Sequence, residues 1–397
     1  MATQKVSDAL IETFPASKIT GALPALDGSA VTGAGDSVTK NASDPAIDTN
    51  PSDGVGHIWV NTTSGETYAC TDATTDNNIW TNLGEGSGNV QAYQFGGTNY
   101  AYSAAGWNNG NTDVIERYAF ASAVTVQSWG NTLIHDHAQT SIGSTTEGYL
   151  VGGSGHPYTQ SPNQGKKINK YSFISSGVAT DVGDLDQDCS VPFGISAELH
   201  GYAVGGQLLP GALGFTRAIQ KFAWSSSGGG PVATDVGDAW SSTGYNEGAS
   251  CSSGFNGYCI GGSGASTRIE KISFSTDVSS QYNGNLITGA NGITGGASTT
   301  HGYYWTSNTS AGTTQIFTFS FAVEGNSTVL VSELDIPRSY GCGHSSTTHG
   351  YCNGGRGGGS MVSQIDRFAF SNDVVQLAIG NLTTPKAYAS TGSGAHY

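Results

Sequence analysis

The chain has 397 residues, 59 of them glycine, and a net charge of -15 from 30 acidic and 15 basic side chains. Such an acidic surface repels phosphate backbones and anionic lipid headgroups, so we expect no nucleic-acid binding. No run of 18 apolar residues occurs, which predicts that no segment inserts into a membrane.

Residues 1–52 contain a single aromatic residue, Phe14, and are too poor in apolar side chains to form a core alone. They contain a short repeat with a spacing of twelve residues, Ile19-Thr-Gly-Ala22 and Val31-Thr-Gly-Ala34. This composition predicts an extended segment that becomes ordered against another chain. The start of the chain lacks the apolar stretch of a secretory signal, so we expect synthesis in the cytoplasm.

Residues 53–86 contain three short runs rich in aromatic and β-branched residues, which are typical of strands. The runs are residues 56–60, 65–70 and 78–81, and a Gly/Ser-rich linker follows at residues 84–88. We predict a small three-strand β module and a linker.

From residue 87 to residue 397 one phrase recurs: Ile, any residue, a basic residue, an aromatic residue or Ile, any residue, then Phe or Trp. Its six copies occupy residues 115–120, 168–173, 219–224, 269–274, 316–321 and 365–370, and the fifth has Thr318 at the basic position. Their final aromatic residues lie 53, 51, 50, 47 and 49 residues apart. A period near 50 residues indicates repetition of one supersecondary unit.

A second phrase, most often Gly-Tyr, two further residues and Gly-Gly, precedes each copy. Its segments are residues 93–97, 148–153, 201–206, 257–262, 302–307 and 350–355. The diglycine predicts positive φ angles and close approach of neighbouring backbone. With the runs that flank the two phrases, each unit holds four short strands, which is typical of a β-propeller blade. We predict an all-β fold with a six-bladed β-propeller over residues 87–397.

The end of the chain predicts how the ring closes. Residues 385–397 resemble residues 337–351, which open the sixth unit, whereas the first unit begins directly at its Gly-Gly strand. We expect the C-terminal strand to supply the inner strand of the first blade, which removes exposed sheet edges.

Two family resemblances add to these expectations. The first is a resemblance to a kelch repeat. It rests on four features in order: Arg338, a small-residue strand, a hydrophobic run ending in Gly354-Gly355, and an aromatic strand. The resemblance implies a propeller that serves as a binding platform, a scaffold or, in some members, an enzyme. The usual kelch Trp is missing from most units.

The second resemblance concerns the N-terminal part. Residues 16–33 are similar to N-terminal segments of tailed-bacteriophage fibre proteins, and residues 56–81 resemble a small β module of the same virion proteins. The resemblance implies a virion structural protein, a tail or capsid fibre, released by lysis and assembled with other virion proteins, with a homotrimer as the expected state. The virion-attachment residues are then expected to be Ile19, Leu23, Leu26 and Val31.

The loops between the Gly-Gly strand and the repeat Ile suggest a binding surface. They contain 17, 14 and 12 residues in units one to three and 6, 8 and 9 in units four to six. Aromatic rings beside amides suit sugars, because a ring stacks on a pyranose while amides bond its hydroxyls. We predict a site for a ligand such as a host-surface glycan, or for a partner, at Tyr100, Trp107, Asn108, His156, Tyr158, Gln160, Asn163, Leu208, Leu209 and Phe215. The alternative, that these loops pack on one another or on a virion neighbour, stays open.

Histidines recur near the turn between the first two strands of a unit, at His200, His301, His349 and His396. Metal binding or pH sensing is one interpretation, and capping of the turn is the one we favour. The segments 179–184 and 233–238 share the phrase Ala-Thr-Asp-Val-Gly-Asp. There we expect the first Asp to bond the backbone of its own turn.

Cysteines face each other across two predicted hairpins, Cys251 with Cys259 and Cys342 with Cys352. A disulfide and a pair of reduced thiols both stay open, and cytoplasmic assembly favours thiols.

No nucleophile motif, phosphate loop or paired-carboxylate signature emerges, so we predict no catalysis, no metal site and no cofactor. The predicted function is a phage fibre-like appendage that displays a propeller for host attachment. The main alternative is a purely structural capsid-decoration or tail-connecting protein, and a glycan-active enzyme is a more distant one.

Overall fold

A computed structural model of the chain describes residues 38–83, 99–110, 112–154, 164–209, 214–224, 232–240, 247–262, 266–287, 289, 291–305, 313–371, 374–388 and 390–393. These residues form strands, turns and one three-residue 3-10 helix, Gln164–Lys166, so the predicted all-β class is confirmed. No helix within these ranges is long and apolar enough to cross a membrane. The chain divides into two compact units, residues 1–92 and residues 93–397.

The smaller unit contains one sheet of four strands, β1 (Val38–Asn41), β2 (Ile58–Asn61), β3 (Thr67–Asp72) and β4 (Ile79–Asn82). Strands β2 to β4 form the predicted meander, and β1 pairs in parallel with β2. Strand β1 escaped prediction because it is largely exposed and has no alternating apolar pattern. The sheet therefore begins inside the segment 1–52. Its core packs Trp59 edge to face on Trp80 at 5.8 Å.

The larger unit contains six sheets of similar build, named the first to sixth sheets in chain order. Each has an inner, a second, a third and an outer strand, joined in antiparallel order. The first sheet contains β33 (Ser390–Ser393), β5 (Tyr100–Ala104), β6 (Thr112–Ala119) and β7 (Gln127–Asp136). The second contains β8 (Thr140–Gly143), β9 (Glu147–Val151), β10 (Lys167–Ser172) and β12 (Thr180–Asp184). The third contains β14 (Phe193–Ser196), β15 (His200–Val204), β17 (Ala218–Ala223) and β18 (Thr234–Asp238).

The other three sheets follow the same order. The fourth contains β19 (Ala249–Ser252), β20 (Asn256–Ile260), β21 (Arg268–Ser273) and β22 (Ser279–Asn285). The fifth contains β23 (Thr294–Ala297), β24 (His301–Trp305), β25 (Thr313–Ser320) and β26 (Thr328–Arg338). The sixth contains β27 (Cys342–Ser345), β28 (His349–Asn353), β31 (Gln364–Ala369) and β32 (Val375–Asn381). Smaller additions are β11 (Gly177–Val178) beside β7 and two short ribbons, β13 (Cys189–Ser190) with β16 (Gln207–Leu208) and β29 (Arg356–Gly357) with β30 (Ser360–Met361).

Aromatic pairs connect each sheet to the next. In every case a tyrosine of the second strand packs on the final aromatic residue of the repeat phrase in the following sheet, and the ring centroids lie 4.7–5.7 Å apart. The pairs are Tyr102–Phe173, Tyr149–Trp224, Tyr202–Phe274, Tyr258–Phe321, Tyr303–Phe370 and Tyr351–Phe120. Such a pair contributes about 0.5–1.5 kcal/mol beyond its buried area. The last pair joins the sixth sheet to the first.

The inner strands also contact one another in chain order, and β33 contacts both β27 and β8. Strand β33 pairs antiparallel with β5, with Thr391 opposite Ser103. The C-terminal strand thus completes the first sheet, as the similarity between residues 385–397 and 337–351 predicts.

The second strand of the first sheet differs from the prediction. It is β5 rather than the segment 93–97, all of which lies outside the described residues. Ala105 and Gly106 take the diglycine positions, with φ angles of 56° and 109°, against 72° and 122° for Gly152 and Gly153. An alanine at the first position hides the pattern in the sequence. Eight residues, 107–114, therefore separate these positions from the repeat Ile of the first sheet, rather than 17, and the last three of them already belong to β6.

Candidate ligand-binding mouth

Each inner strand is preceded, two residues earlier, by a residue in the left-handed backbone conformation. These six residues, which we call the mouth residues, are Ala138 (φ 58°), Val191 (47°), Glu247 (57°), Gly292 (61°), Tyr340 (55°) and Tyr388 (52°). Five are not glycine, although this conformation costs other residues about 1–2 kcal/mol. Its recurrence before all six inner strands indicates that the surrounding structure imposes it.

The backbones of the mouth residues are joined from sheet to sheet by hydrogen bonds. The bonds run from Val191 N to Ala138 O (2.7 Å), Ala138 N to Tyr388 O (3.4 Å), Tyr388 N to Tyr340 O (3.0 Å), Tyr340 N to Gly292 O (2.9 Å) and Gly292 N to Glu247 O (2.6 Å). Because each bond links two sheets, the chain of bonds holds the starts of the inner strands together around one opening, the mouth.

The mouth is a depression of about 130 Å³, lined by the mouth residues and by the first residues of the inner strands. A row of rings leads into it from the loop after β5. The ring centroids of Trp107 and His137 are 5.5 Å apart, those of His137 and Tyr388 are 6.3 Å apart, and Tyr388 stacks on Tyr340 at 4.1 Å. All four side chains are half-buried, so part of each ring surface reaches solvent.

A carboxylate ends this row of rings. The Tyr340 hydroxyl donates to Glu247 Oε2 at 3.4 Å, and Asn291 Nδ2 donates to the same oxygen at 3.4 Å. Burial, followed by the nearby Tyr388 and Glu247, raises the pKa of Tyr340. The phenol therefore stays protonated near neutral pH. The mouth offers a row of rings whose neighbouring centroids are 4.1–6.3 Å apart, with a hydroxyl donor and a carboxylate acceptor where the row ends.

Buried ion pairs support the segments that carry the two tyrosines. Two residues before Tyr388, Lys386 Nζ lies 2.9 Å from Glu116 Oε2, and both side chains are 1% exposed. Two residues before Tyr340, Arg338 pairs with Asp366, and both side chains are fully buried. In each case the cation precedes an inner strand, and its partner lies on the third strand of the sheet to which that inner strand belongs.

The structure separates residues that the sequence grouped in the loops. Trp107 lies at the mouth, where it exchanges two backbone hydrogen bonds with Ala387, of 2.8 and 3.1 Å. Asn108 follows in the same short loop, and its N–H donates to Gly110 O at 2.9 Å. Tyr100 begins β5 and so lies at the opposite end of that strand, beneath the Arg117 guanidinium at 4.3 Å. Grouping Tyr100 with Trp107 was wrong because the first Gly-Gly strand was misplaced.

In the third sheet, the loop between the Gly-Gly strand and the repeat Ile pairs with neighbouring backbone and does not stand free as a ligand-binding surface. Leu208 pairs with Cys189 in the β13–β16 ribbon, and the Leu209 N–H donates to Asp188 O at 3.0 Å. Phe215 bridges to Gln207 and is 46% exposed. The other predicted residues lie outside the described ranges, namely His156, Tyr158, Gln160, Asn163, Ile19, Leu23, Leu26 and Val31.

Sequence reasoning missed His137, Glu247, Tyr340 and Tyr388. The signal was present, since Pro337-Arg338-Ser339-Tyr340 and Pro385-Lys386-Ala387-Tyr388 are similar. That similarity predicts ring closure but not the mouth, because the identity of a Tyr does not indicate a left-handed φ angle.

The recurrent histidines begin second strands. His200, His301 and His349 start β15, β24 and β28, Tyr100 holds this position in the first sheet, and His396 lies outside the described residues. The Nδ1 atoms of His301 and His349 lie 2.9 and 2.8 Å from the hydroxyls of the preceding threonines. Burial lowers the pKa of all three imidazoles. Within the described ranges, no three His, Cys, Asp or Glu side chains meet to hold a metal ion.

The cysteines are buried free thiols. Cys251 stands opposite Tyr258 and Cys259 opposite Ser250, so these two cysteines lie on opposite faces of the sheet. The same one-residue offset separates Cys342 from Cys352. Neither pair can form the cross-strand disulfide considered from the sequence. Burial raises the pKa of each thiol, to about 12 for Cys189 and Cys342.

The chain matches no protein-family model, and no curated protein sequence is similar to it.

Proposed function

We propose that the larger unit is a six-bladed β-propeller closed by β33, and that its function is ligand binding at the mouth. The ring is supported by six four-stranded sheets, by the aromatic pair that joins the sixth sheet to the first, and by the contacts of β33 with both β27 and β8. Propellers of this kind bring loops from every blade to one face around the axis.

The observation that carries the binding proposal is the row of rings from Trp107 to Tyr340 that ends at Glu247. Aromatic faces stack on the apolar side of a pyranose, while a carboxylate and a phenol bond its hydroxyls. A saccharide is therefore the ligand class that this surface fits best.

We further propose that the protein is a phage virion appendage that uses this mouth on host-surface glycan. The support is the resemblance of residues 16–33 and 56–81 to phage fibre proteins, which implies attachment through the N-terminal segment and display of the propeller. The four-stranded sheet of residues 38–82 fits a small folded module that follows such a segment.

The test is binding of the full chain to surface polysaccharides extracted from candidate bacterial hosts, measured by biolayer interferometry. The test variant carries Tyr340→Asn and Tyr388→Asn, because Asn tolerates the left-handed conformation. The double variant removes two rings, and loss of one ring that stacks on a ligand costs about 1–3 kcal/mol, so affinity should fall at least about tenfold. Phe255→Ala is the control, since Phe255 is 40% exposed in the turn before β20, at the other end of the sheets.

Equal loss in the Phe255→Ala variant, or unchanged affinity in the double variant, would contradict binding at the mouth. If the folded chain binds no host polysaccharide but binds purified virion proteins through the same face, the purely structural alternative replaces the proposal.

A further inference from the structure

Two long basic side chains of the repeat phrase reach from one sheet to the next. On the third strand of the fourth sheet, Lys271 lies opposite Tyr258 and pairs with Glu324 of the fifth sheet. The third and fourth sheets are connected in the same way by Lys221 and Asp277, whose charged atoms are 2.9 Å apart. In these two sheets the repeat phrase supplies a cation that reaches the following sheet, whereas Lys170 pairs with Glu147 of its own sheet and the Arg117 guanidinium lies over rings of its own sheet.

The fifth copy of the phrase has no cation, because Thr318 holds the position that is Lys or Arg in the other five. Thr318 lies opposite Tyr303, as Lys271 lies opposite Tyr258, and its hydroxyl donates to Gly302 O at 3.1 Å. A short side chain folded back on its own sheet leaves the space in front of it empty. A pocket of about 610 Å³ is found there, between the fifth and sixth sheets. Small-molecule sites measure about 300–1,000 Å³.

The lining of this pocket is neutral and rich in hydroxyl groups. Eight Ser and Thr residues line it, among them Ser298, Thr300, Thr318, Thr328, Thr348 and Ser371. Tyr303 and Phe370 form an aromatic wall, with rings stacked at 4.8 Å and an interplanar angle of 22°. His301 is the one titratable side chain other than tyrosine among the described lining residues, and burial lowers its pKa, so it is neutral near pH 7.

We propose that this pocket, which we call the fifth-sheet pocket, binds a neutral pyranose. Hydroxyls and a neutral imidazole can both donate to and accept from sugar hydroxyls, and the aromatic wall suits the apolar face of the ring. No fixed charge of the described lining offsets the desolvation of an ionised sugar, so the selectivity is for neutral sugars. The pocket lies at the end of the sheets where second strands begin, away from the mouth, and the proposal does not rest on the proposed function.

The experiment uses the full chain with isotope-labelled histidine and follows the His301 ring signals by NMR, assigned with His301→Asn. The probes are methyl glucopyranoside, methyl galactopyranoside, N-acetylglucosamine and, as the charged comparison, glucuronate. We expect saturable shifts of the His301 signals with at least one neutral probe and none with glucuronate.

Thr318→Met fills the pocket without adding charge, and Thr318→Lys restores the side chain of the other sheets. Either variant should weaken binding about tenfold or more. Lys271→Met is the matched control, since it alters the corresponding space between the fourth and fifth sheets, and it should leave affinity unchanged. Tyr340→Asn should also have no effect.

The proposal is overturned if no neutral probe shifts the His301 signals, if glucuronate binds as well as the neutral sugars, or if Thr318→Met binds as tightly as the native chain while its unfolding midpoint is unchanged.

Discussion

At the scale of single residues, the Lys386–Glu116 pair fixes the C-terminal segment to the first sheet. Lys386 Nζ also donates to Ser103 O at 3.2 Å, and the Thr383 N–H donates to Glu116 Oε1 at 2.8 Å. Glu116 therefore bonds two residues of the segment that leads into β33. A buried ion pair gains little over apolar packing, but removing one partner leaves an uncompensated charge.

We predict that Lys386→Met lowers the free energy of unfolding by about 3–5 kcal/mol, because Glu116 stays buried without its partner. Urea denaturation followed by tryptophan fluorescence measures the effect. The control is Lys167→Met, since Lys167 is 32% exposed and pairs with Asp181 and Asp184 at the surface. That change should cost about 1 kcal/mol or less. Equal effects of the two variants would contradict the role of the buried pair.

The three turn histidines predict a pH dependence of stability. Burial lowers the pKa of His200, His301 and His349 in the folded chain. In the unfolded chain the pKa of a histidine is about 6.5. As pH falls below that value the unfolded state takes up protons first, so stability decreases until the folded-state pKa values are passed.

Replacing all three histidines with Asn should flatten this part of the profile. The fourth sheet has Asn256 at the same position, so the substitution fits the turn. Unfolding midpoints from pH 5 to pH 8 provide the measurement. A triple variant with the same slope as the native chain would show that other groups cause the dependence.

At the scale of elements, the Gly-Tyr phrase is explained by packing across strands. Gly350 lies directly opposite Phe368 of the third strand, and a Cβ on Gly350 would overlap the Phe368 ring. Gly302 has the same relation to Phe319. The glycine therefore makes room for the ring that also packs on the neighbouring sheet.

Gly350→Ala should destabilise the larger unit by about 1–3 kcal/mol through overpacking. Gly177→Ala is the control, because a Cβ there meets no atom within 4 Å and its φ angle is not in the left-handed region. Thermal unfolding of both variants beside the native chain measures the difference. A neutral Gly350→Ala would indicate that the ring can move aside.

Much of the element structure could be predicted from the sequence. The recurrence of Gly-Gly and of the Ile-to-aromatic phrase predicted the second and third strands of five sheets. The Asp turns were confirmed as well, since the N–H groups of Gly183 and Gly237 each donate to an Asp two residues earlier at 3.0 Å. The prediction of the second strand was wrong for the first sheet, because Ala105 adopts the left-handed conformation that glycine adopts at this position in other sheets.

The candidate site was less predictable than the fold. Loop length and aromatic content identified Trp107, but the mouth is built from residues far apart in sequence, such as Glu247 and Tyr388. Their proximity depends on how the inner strands meet, and the spacing of motifs along the sequence does not specify this. The fifth-sheet pocket was equally hidden, because Thr318 matters only in contrast with the cations of the other sheets.

At the scale of the whole molecule, β33 joins the two ends of the larger unit. A chain that stops at residue 383 lacks Lys386 and β33, which leaves β5 as an exposed edge. We predict that its amides at residues 101–104 exchange hydrogen much faster than in the native chain. A chain that stops at residue 393 keeps β33 and should show native protection. Equal exchange in the two truncated chains would contradict closure by this strand.

The measurement that tests the account most directly is an experimental density map of the full chain. It should show six four-stranded sheets around one axis, with residues 390–393 between β5 and β8 and the mouth residues in a ring. An open arrangement of the sheets, or residues 390–393 paired elsewhere, would contradict the ring closure on which the mouth depends.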